Sequence, residues 1–117
     1  MKITGSASAI STSKPGTEHQ QLMLVLSQIP PGRLCSYGDL AKLAGLPGRA
    51  RWVGRQLSRL PENTAQPWHR VVNARGQISF PAGSAAYRHQ LARLIDEGSA
   101  SANGKIHWRQ RRWPGSP

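Results

Sequence analysis

Apolar residues recur along this chain at helical spacing in four places, separated by polar, glycine- or proline-bearing breaks. Leu22, Val25, Leu26 and Ile29 fall three and four apart, which predicts a first helix over residues 19–29. Pro30-Pro31-Gly32 ends it, because proline offers no amide and blocks the preceding turn. Leu40, Leu43 and Ala44 mark the inner face of a second helix over 37–45. Ser36 is placed to cap it, with Asp39 where a capping-box acid sits. Leu46-Pro47-Gly48 turns the chain, and Trp52, Val53, Gln56, Leu57 and Leu60 predict a third helix over 49–60. Tyr87, Leu91, Leu94 and Ile95 do the same for a fourth helix over 84–97, closed by Gly98.

The remaining segments read differently. Residues 1–17 are rich in Ser, Thr, Gly and Ala and predict a disordered N-terminal arm. Residues 61–66 form a polar loop, and His69 to Val72 is a short apolar-flanked segment. Asn73-Ala74-Arg75-Gly76 is a turn, from which Gln77 to Phe80 is expected to return as a brief strand. Residues 99–117 are a basic tail that mixes Lys105, Arg109, Arg111 and Arg112 with Trp108 and Trp113. The ordered domain is therefore expected over 18–98. A chain of 117 residues is one small domain with a thin core, mainly α in class.

The second and third helices, joined by a tight glycine-bearing turn, read as a helix-turn-helix. The third would be the recognition helix. Its outer face carries Arg51, Arg55 and Arg59 at intervals of four. Such a stripe on an isolated helix is usually a solvated basic face. Here no acidic residue alternates with the arginines, and the helix sits in the reading position of the motif.

Charge sharpens this picture. Sixteen Lys and Arg stand against five Asp and Glu, for a net charge of +11, and arginine supplies twelve of the sixteen. That balance favours a polyanionic partner, since each neutralised phosphate releases counterions. A basic ribosomal-type protein or a membrane-surface protein has the same bulk signature. One cysteine, Cys35, leaves no intrachain disulfide, so a reducing compartment is expected. The N-terminus shows no apolar run of a signal peptide, and no stretch approaches membrane-spanning length. The expected protein is soluble, without cofactor or metal, and cytoplasmic at a bacterial nucleoid, or nuclear in a eukaryote.

The segment Pro67-Trp68-His69-Arg70-Val71-Val72 is the most specific feature. It is similar to the Pro-Cys-His-Arg-Val signature of the O6-alkylguanine-DNA alkyltransferases, with Trp68 at the cysteine position. Three further blocks follow the family in order: Ile29-Pro30-Pro31-Gly32 with Ser36-Tyr37-Gly38-Asp39-Leu40-Ala41, then Arg51-Trp52-Val53-Gly54, and finally Glu97-Gly98. The likeness covers about residues 19–98. Trp in place of Cys inside an otherwise intact block resembles the alkyltransferase-like proteins, which recognise alkylated guanine without repairing it. An indole has no thiolate to accept an alkyl group.

The resemblance implies a winged-helix-like domain similar to the C-terminal domain of the alkyltransferases. It implies a monomer that binds duplex DNA carrying O6-alkylguanine in the minor groove, flips that base into a pocket, and marks the lesion for nucleotide excision repair proteins. Arg51 matches the arginine that fills the vacated stack, and Tyr37 the tyrosine that pushes on the adjacent phosphate. Gly54 matches a position where a small residue allows close approach, and Arg55 is expected on the DNA beside it. Tyr37, Pro67, Trp68, His69, Arg70 and Val71 are the implied lesion pocket. His69 and Glu97 match the pair that activates cysteine in the enzymes; without a cysteine they are left as a hydrogen bond orienting the loop. Arg70 is expected to tie the loop to a carboxylate such as Asp39.

Departures from the family are Trp52 for the usual Ala, Leu60 at the asparagine hinge, and the loop from Phe80 to Ser84. Two rivals remain at this point: an active alkyltransferase using Cys35, and a regulator reading sequence through an ordinary helix-turn-helix. Cys35, preceded by Leu34 and without a local His or acid, reads as a small buried hydrophobe.

Overall fold

The computed structural model describes residues 15–113. Helix α1 (Pro15–Ser27) packs its Leu22 and Leu26, with Ile29 beyond its end, into the main core. Each is at most 1% exposed, and burying such a side chain contributes about 1.5–3 kcal/mol. Leu24, on the opposite side, is 63% exposed, so the helix is apolar on one stripe only. The helix begins before residue 18, so residues 15–17 do not belong to the expected arm; residues 1–14 lie outside the described part.

Strand β1 (Cys35–Ser36) leads directly into α2 (Tyr37–Leu43). The Ser36 hydroxyl accepts the Asp39 amide at 3.0 Å, the expected cap. Leu40, Ala41 and Ala44 are buried, whereas Leu43, expected inside, is 43% exposed because the helix ends there. Gly45 and Gly48 both take positive φ and turn the chain into α3 (Ala50–Ser58). Val53 anchors α3, with Trp52 and Leu57 packed against the same core. The helix-turn-helix is therefore present, with both helices shorter than their apolar patterns.

Trp68–Arg70 forms one 3-10 turn, followed by strand β2 (Val71–Val72). β2 pairs in parallel with β1, Cys35 opposite Val71 and Ser36 opposite Val72. The expected strand over Gln77–Phe80 does not form. The Asn73 carboxamide instead accepts the amides of Arg75 and Gln77, closing a compact loop that pins Ile78 in the second core. Local side-chain hydrogen bonds have replaced a ladder.

Helix α4 (Ala85–Asp96) is capped by Ser84 and ends at Gly98, which takes φ +79°. Its Leu94 is fully buried, and Gln90 is buried with it, donating to the carbonyls of His69 and Val71 at 2.9 Å. The tail does not separate at residue 98. Ala100 is 6% exposed and bridges Ile106, and a short helix α5 (Trp108–Arg111) follows. Leu34 then exchanges hydrogen bonds with Arg111 and Trp113 at 2.8 and 2.7 Å, which lays the tail beside β1. Backbone pairing and apolar burial, neither visible in a composition rich in arginine, hold it there.

Candidate nucleic-acid interface

One cleft of about 820 Å³ opens between α2, α3, the 3-10 turn and the tail. Tyr37, Arg51, Gly54 and Trp68 all line it, although they come from three separate segments. Tyr37 is the first residue of α2, so the Ser36 cap sets its position. Gly54 lies one helix over, where an added Cβ would meet the Tyr37 ring at 4.0 Å. The glycine thus places the α3 backbone directly against the Tyr37 ring.

Arg51, Arg55 and Arg59 are exposed along α3, and among the described residues none of the three makes an ion pair. Arg51 reaches the cleft; Arg55 stays on the outer stripe. Arg49, just before the helix, is committed elsewhere: it pairs with Glu18 at 3.3 Å and stacks over Trp52 with its guanidinium carbon 4.8 Å from the ring centre. Trp52 is therefore a packing residue of α1 and α3. The unneutralised guanidiniums form an open donor surface suited to phosphate oxygens.

The 67–70 block splits by side. Trp68 faces the cleft, where Phe80 meets it edge-on at 6.4 Å; His89, outside the cleft, lies tilted against its ring at 5.5 Å. A second depression of about 610 Å³ continues past Trp68 and Phe80 toward Leu60 and His89. Pro67, His69, Arg70 and Val71, all expected in the pocket, do not line the cleft. A 3-10 turn rotates successive side chains by about 120°, so only one of three neighbours can face one side. Pro67, His69 and Arg70 line a shallow hollow behind the block, and Val71 is buried in β2.

Those rear residues hold the block in place through one carboxylate. Glu97 accepts from His69 Nε2 at 2.9 Å and from Arg70 at 2.6 and 3.0 Å. The Gly32 amide adds a longer contact at 3.4 Å, and Arg70 also donates to the Ile29 carbonyl at 2.8 Å. Arg70 is thus tied to Glu97, not to Asp39; Asp39 is 2.8 Å from Arg112 instead. Burial pushes the Glu97 carboxyl up, but the bonds from Arg70 and His69 outweigh it and bring it down to about 2. Burial also lowers His69 below its ordinary value, against the pull of Glu97. His69 is therefore neutral near pH 7, with Nε2–H donating to Glu97. Its Nδ1 has no partner among the described residues.

Cys35 is wholly buried in β1, and burial pushes its thiol up to about 12. A protonated, inaccessible thiol is not a nucleophile. Among the described residues no cluster of three His, Cys, Asp or Glu could hold a metal, and no helix is long and apolar enough to cross a membrane.

Sequence reasoning missed part of the cleft. Phe80, Gln90, Trp108 and Arg112 also line it. The only signal for the last two was an aromatic residue recurring among arginines in the tail.

The chain is similar to known proteins in sequence and in fold. The family described as the 6-O-methylguanine DNA methyltransferase DNA-binding domain matches residues 17–99. The DNA base-flipping protein of Escherichia coli is 44% identical over 94 residues, covering 80% of this chain and 72% of that one. Alkyltransferase-like protein 1 of Schizosaccharomyces pombe is 44% identical over 71 residues, covering 61% of this chain and 66% of that one. The crystal structure of S. pombe Atl1 in complex with damaged DNA containing O6-carboxymethylguanine superposes with a TM-score of 0.76 at 32% identity. It covers 90% of this chain and 100% of that one.

Proposed function

The chain belongs to the family of the 6-O-methylguanine DNA methyltransferase DNA-binding domain, and from that premise we propose that it binds O6-alkylguanine in duplex DNA without removing the alkyl group. The damaged base turns out of the duplex into the cleft beside Trp68. One observation carries this reading: the cleft joins an exposed arginine-bearing helix to an aromatic pocket that holds no thiol. The resemblance of the Pro67–Val72 block to the enzymes' signature supports Trp68 as the counterpart of their cysteine. The one cysteine of the chain, Cys35, is buried and protonated.

The energetics fit a binder. Turning a base out of the stack costs a few kcal/mol, less for a damaged one. Arg51, exposed at the rim of the cleft and without an ion-pair partner among the described residues, is placed to enter the gap and stack there. Tyr37 at the start of α2 borders the same opening and can press on the neighbouring phosphate. Inside, Trp68 and Phe80 offer dispersion contacts to a purine and its alkyl group. The neutral His69 lies behind the cleft with no thiol beside it to deprotonate, so its bond to Glu97 is an orienting one. The relatives' names point the same way: one is called base-flipping, and another was crystallised on damaged DNA.

The bound monomer then serves as a flag for nucleotide excision repair proteins, a role supported by the family likeness alone. The deciding experiment incubates the protein with duplexes differing at a single O6-methylguanine. Expected are tighter binding to the lesion duplex, unchanged protein mass and unchanged lesion content. A mass gain of one methyl group would restore the enzyme reading. Equal affinity for both duplexes would leave an ordinary helix-turn-helix regulator.

A further inference from the structure

The tail crosses back to the cleft, where its residues reach the first turn of α2. Trp108 and Arg112 both line the cleft, and the Arg112 guanidinium carbon sits 4.9 Å above the Trp108 ring centre. Two features fix this stack in place. Behind it is Gly76, where an added Cβ would fall inside the Trp108 ring, so the loop has been kept bare to seat the indole. In front of it the Asp39 carboxylate holds Arg112 at 2.8 Å, and Asp39 is itself in the first turn of α2 beside Tyr37. Backbone bonds from Leu34 to Arg111 and Trp113 hold the segment on both sides.

We propose that the Trp108–Arg112 stack is a binding element for the extrahelical alkylated guanine, a planar wall that completes the base pocket. This rests on the reading of the cleft given above. The chemistry of the wall matches a purine. An indole capped by a guanidinium is a flat, polarisable surface with donors at its rim, and bases stack on either group. Trp68 lines the same cleft, and the outer plane of the Arg112 guanidinium adds a second flat surface to it. Asp39 acts as a positioning residue: it keeps Arg112 over the ring and off the backbone phosphates.

The test uses the full chain and the two duplexes with and without O6-methylguanine. Trp108→Leu keeps apolar cover over Leu34, Val72 and Ile78 but removes the ring. Arg112→Lys keeps the charge and the pairing with Asp39 but removes the plane. Lesion-duplex affinity should fall at least tenfold in the first and severalfold in the second. Affinity for the undamaged duplex should change less than twofold in either. If Trp108→Leu does not fold, the exposed Arg112→Lys carries the decision. Lesion preference retained in the folded variants overturns the proposal alone; absence of lesion preference in the unaltered protein overturns the parent reading.

Discussion

The two sides of the cleft are built by different rules. The α2–α3 side is contiguous: Tyr37, Arg51 and Gly54 lie within eighteen residues, set by one serine cap and two positive-φ glycines. The other side is assembled from Trp68, Phe80, Trp108 and Arg112, which are spread over forty-five residues and are brought together by long-range contacts. The first side carries free positive charge and would grip any duplex. The second is aromatic and would judge what enters. General affinity and lesion preference should therefore be separable by mutation.

The largest separation is expected at Glu97. Glu97→Gln leaves Arg70, 14% exposed, without its ionised partner. Breaking a largely buried pair from one side should cost about 3 kcal/mol in a denaturant titration, at the low end for such pairs because of residual exposure. Lesion preference should fall while the α3 arginines still bind undamaged duplex. Acid should attack the same node. His69 is lowered in the folded protein, so stability starts to drop as pH falls below 6.5. Glu97 is lowered from 4.5 to about 2, so its contribution is full above 4.5 and is lost across that interval. Thermal melts from pH 8 to 3 should show both phases, and Glu97→Gln should abolish the lower one.

On the other side, Arg51→Ala should weaken lesion binding by about 1–3 kcal/mol, as expected for loss of a stacked group. Arg55→Ala and Arg59→Ala should weaken both duplexes alike and reduce the salt dependence by about one phosphate contact each. Titrations of the three variants at two salt concentrations decide it. If Arg51→Ala leaves lesion preference intact, α3 is only a basic face.

The smallest effect is expected from Trp68→Cys. A thiol there has His69 beside it in sequence, but His69 is turned to Glu97 behind the block, and the side of the cleft the thiol joins is shaped around an indole. Transfer needs the reacting atoms about 3–3.5 Å apart and aligned. Mass spectrometry after incubation with O6-methylguanine DNA should show trace alkylation or none; one full equivalent per protein would mean the pocket had kept the enzyme's shape.

Some of this protein was determined by the sequence alone. Apolar spacing located α1 to α4, the Ser36 cap and Gly98 marked ends, and the arginine stripe identified the exposed face of α3. Those features are local: hydrogen bonds and periodicity within a few residues decide them. The ordered blocks also pointed to Tyr37, Arg51, Gly54 and Trp68, which the cleft unites. Tertiary structure decided the rest. Which of Pro67 to Val71 faces the cleft depends on the pitch of a 3-10 turn closed against Gln90 and Glu97. Arg70 pairs with Glu97, while Asp39 is paired with Arg112, seventy-three residues away in sequence. The tail became a wall because Leu34 had backbone groups free to pair and Gly76 left room for an indole. Such long-range pairings carry no periodicity, so only the folded chain reveals them.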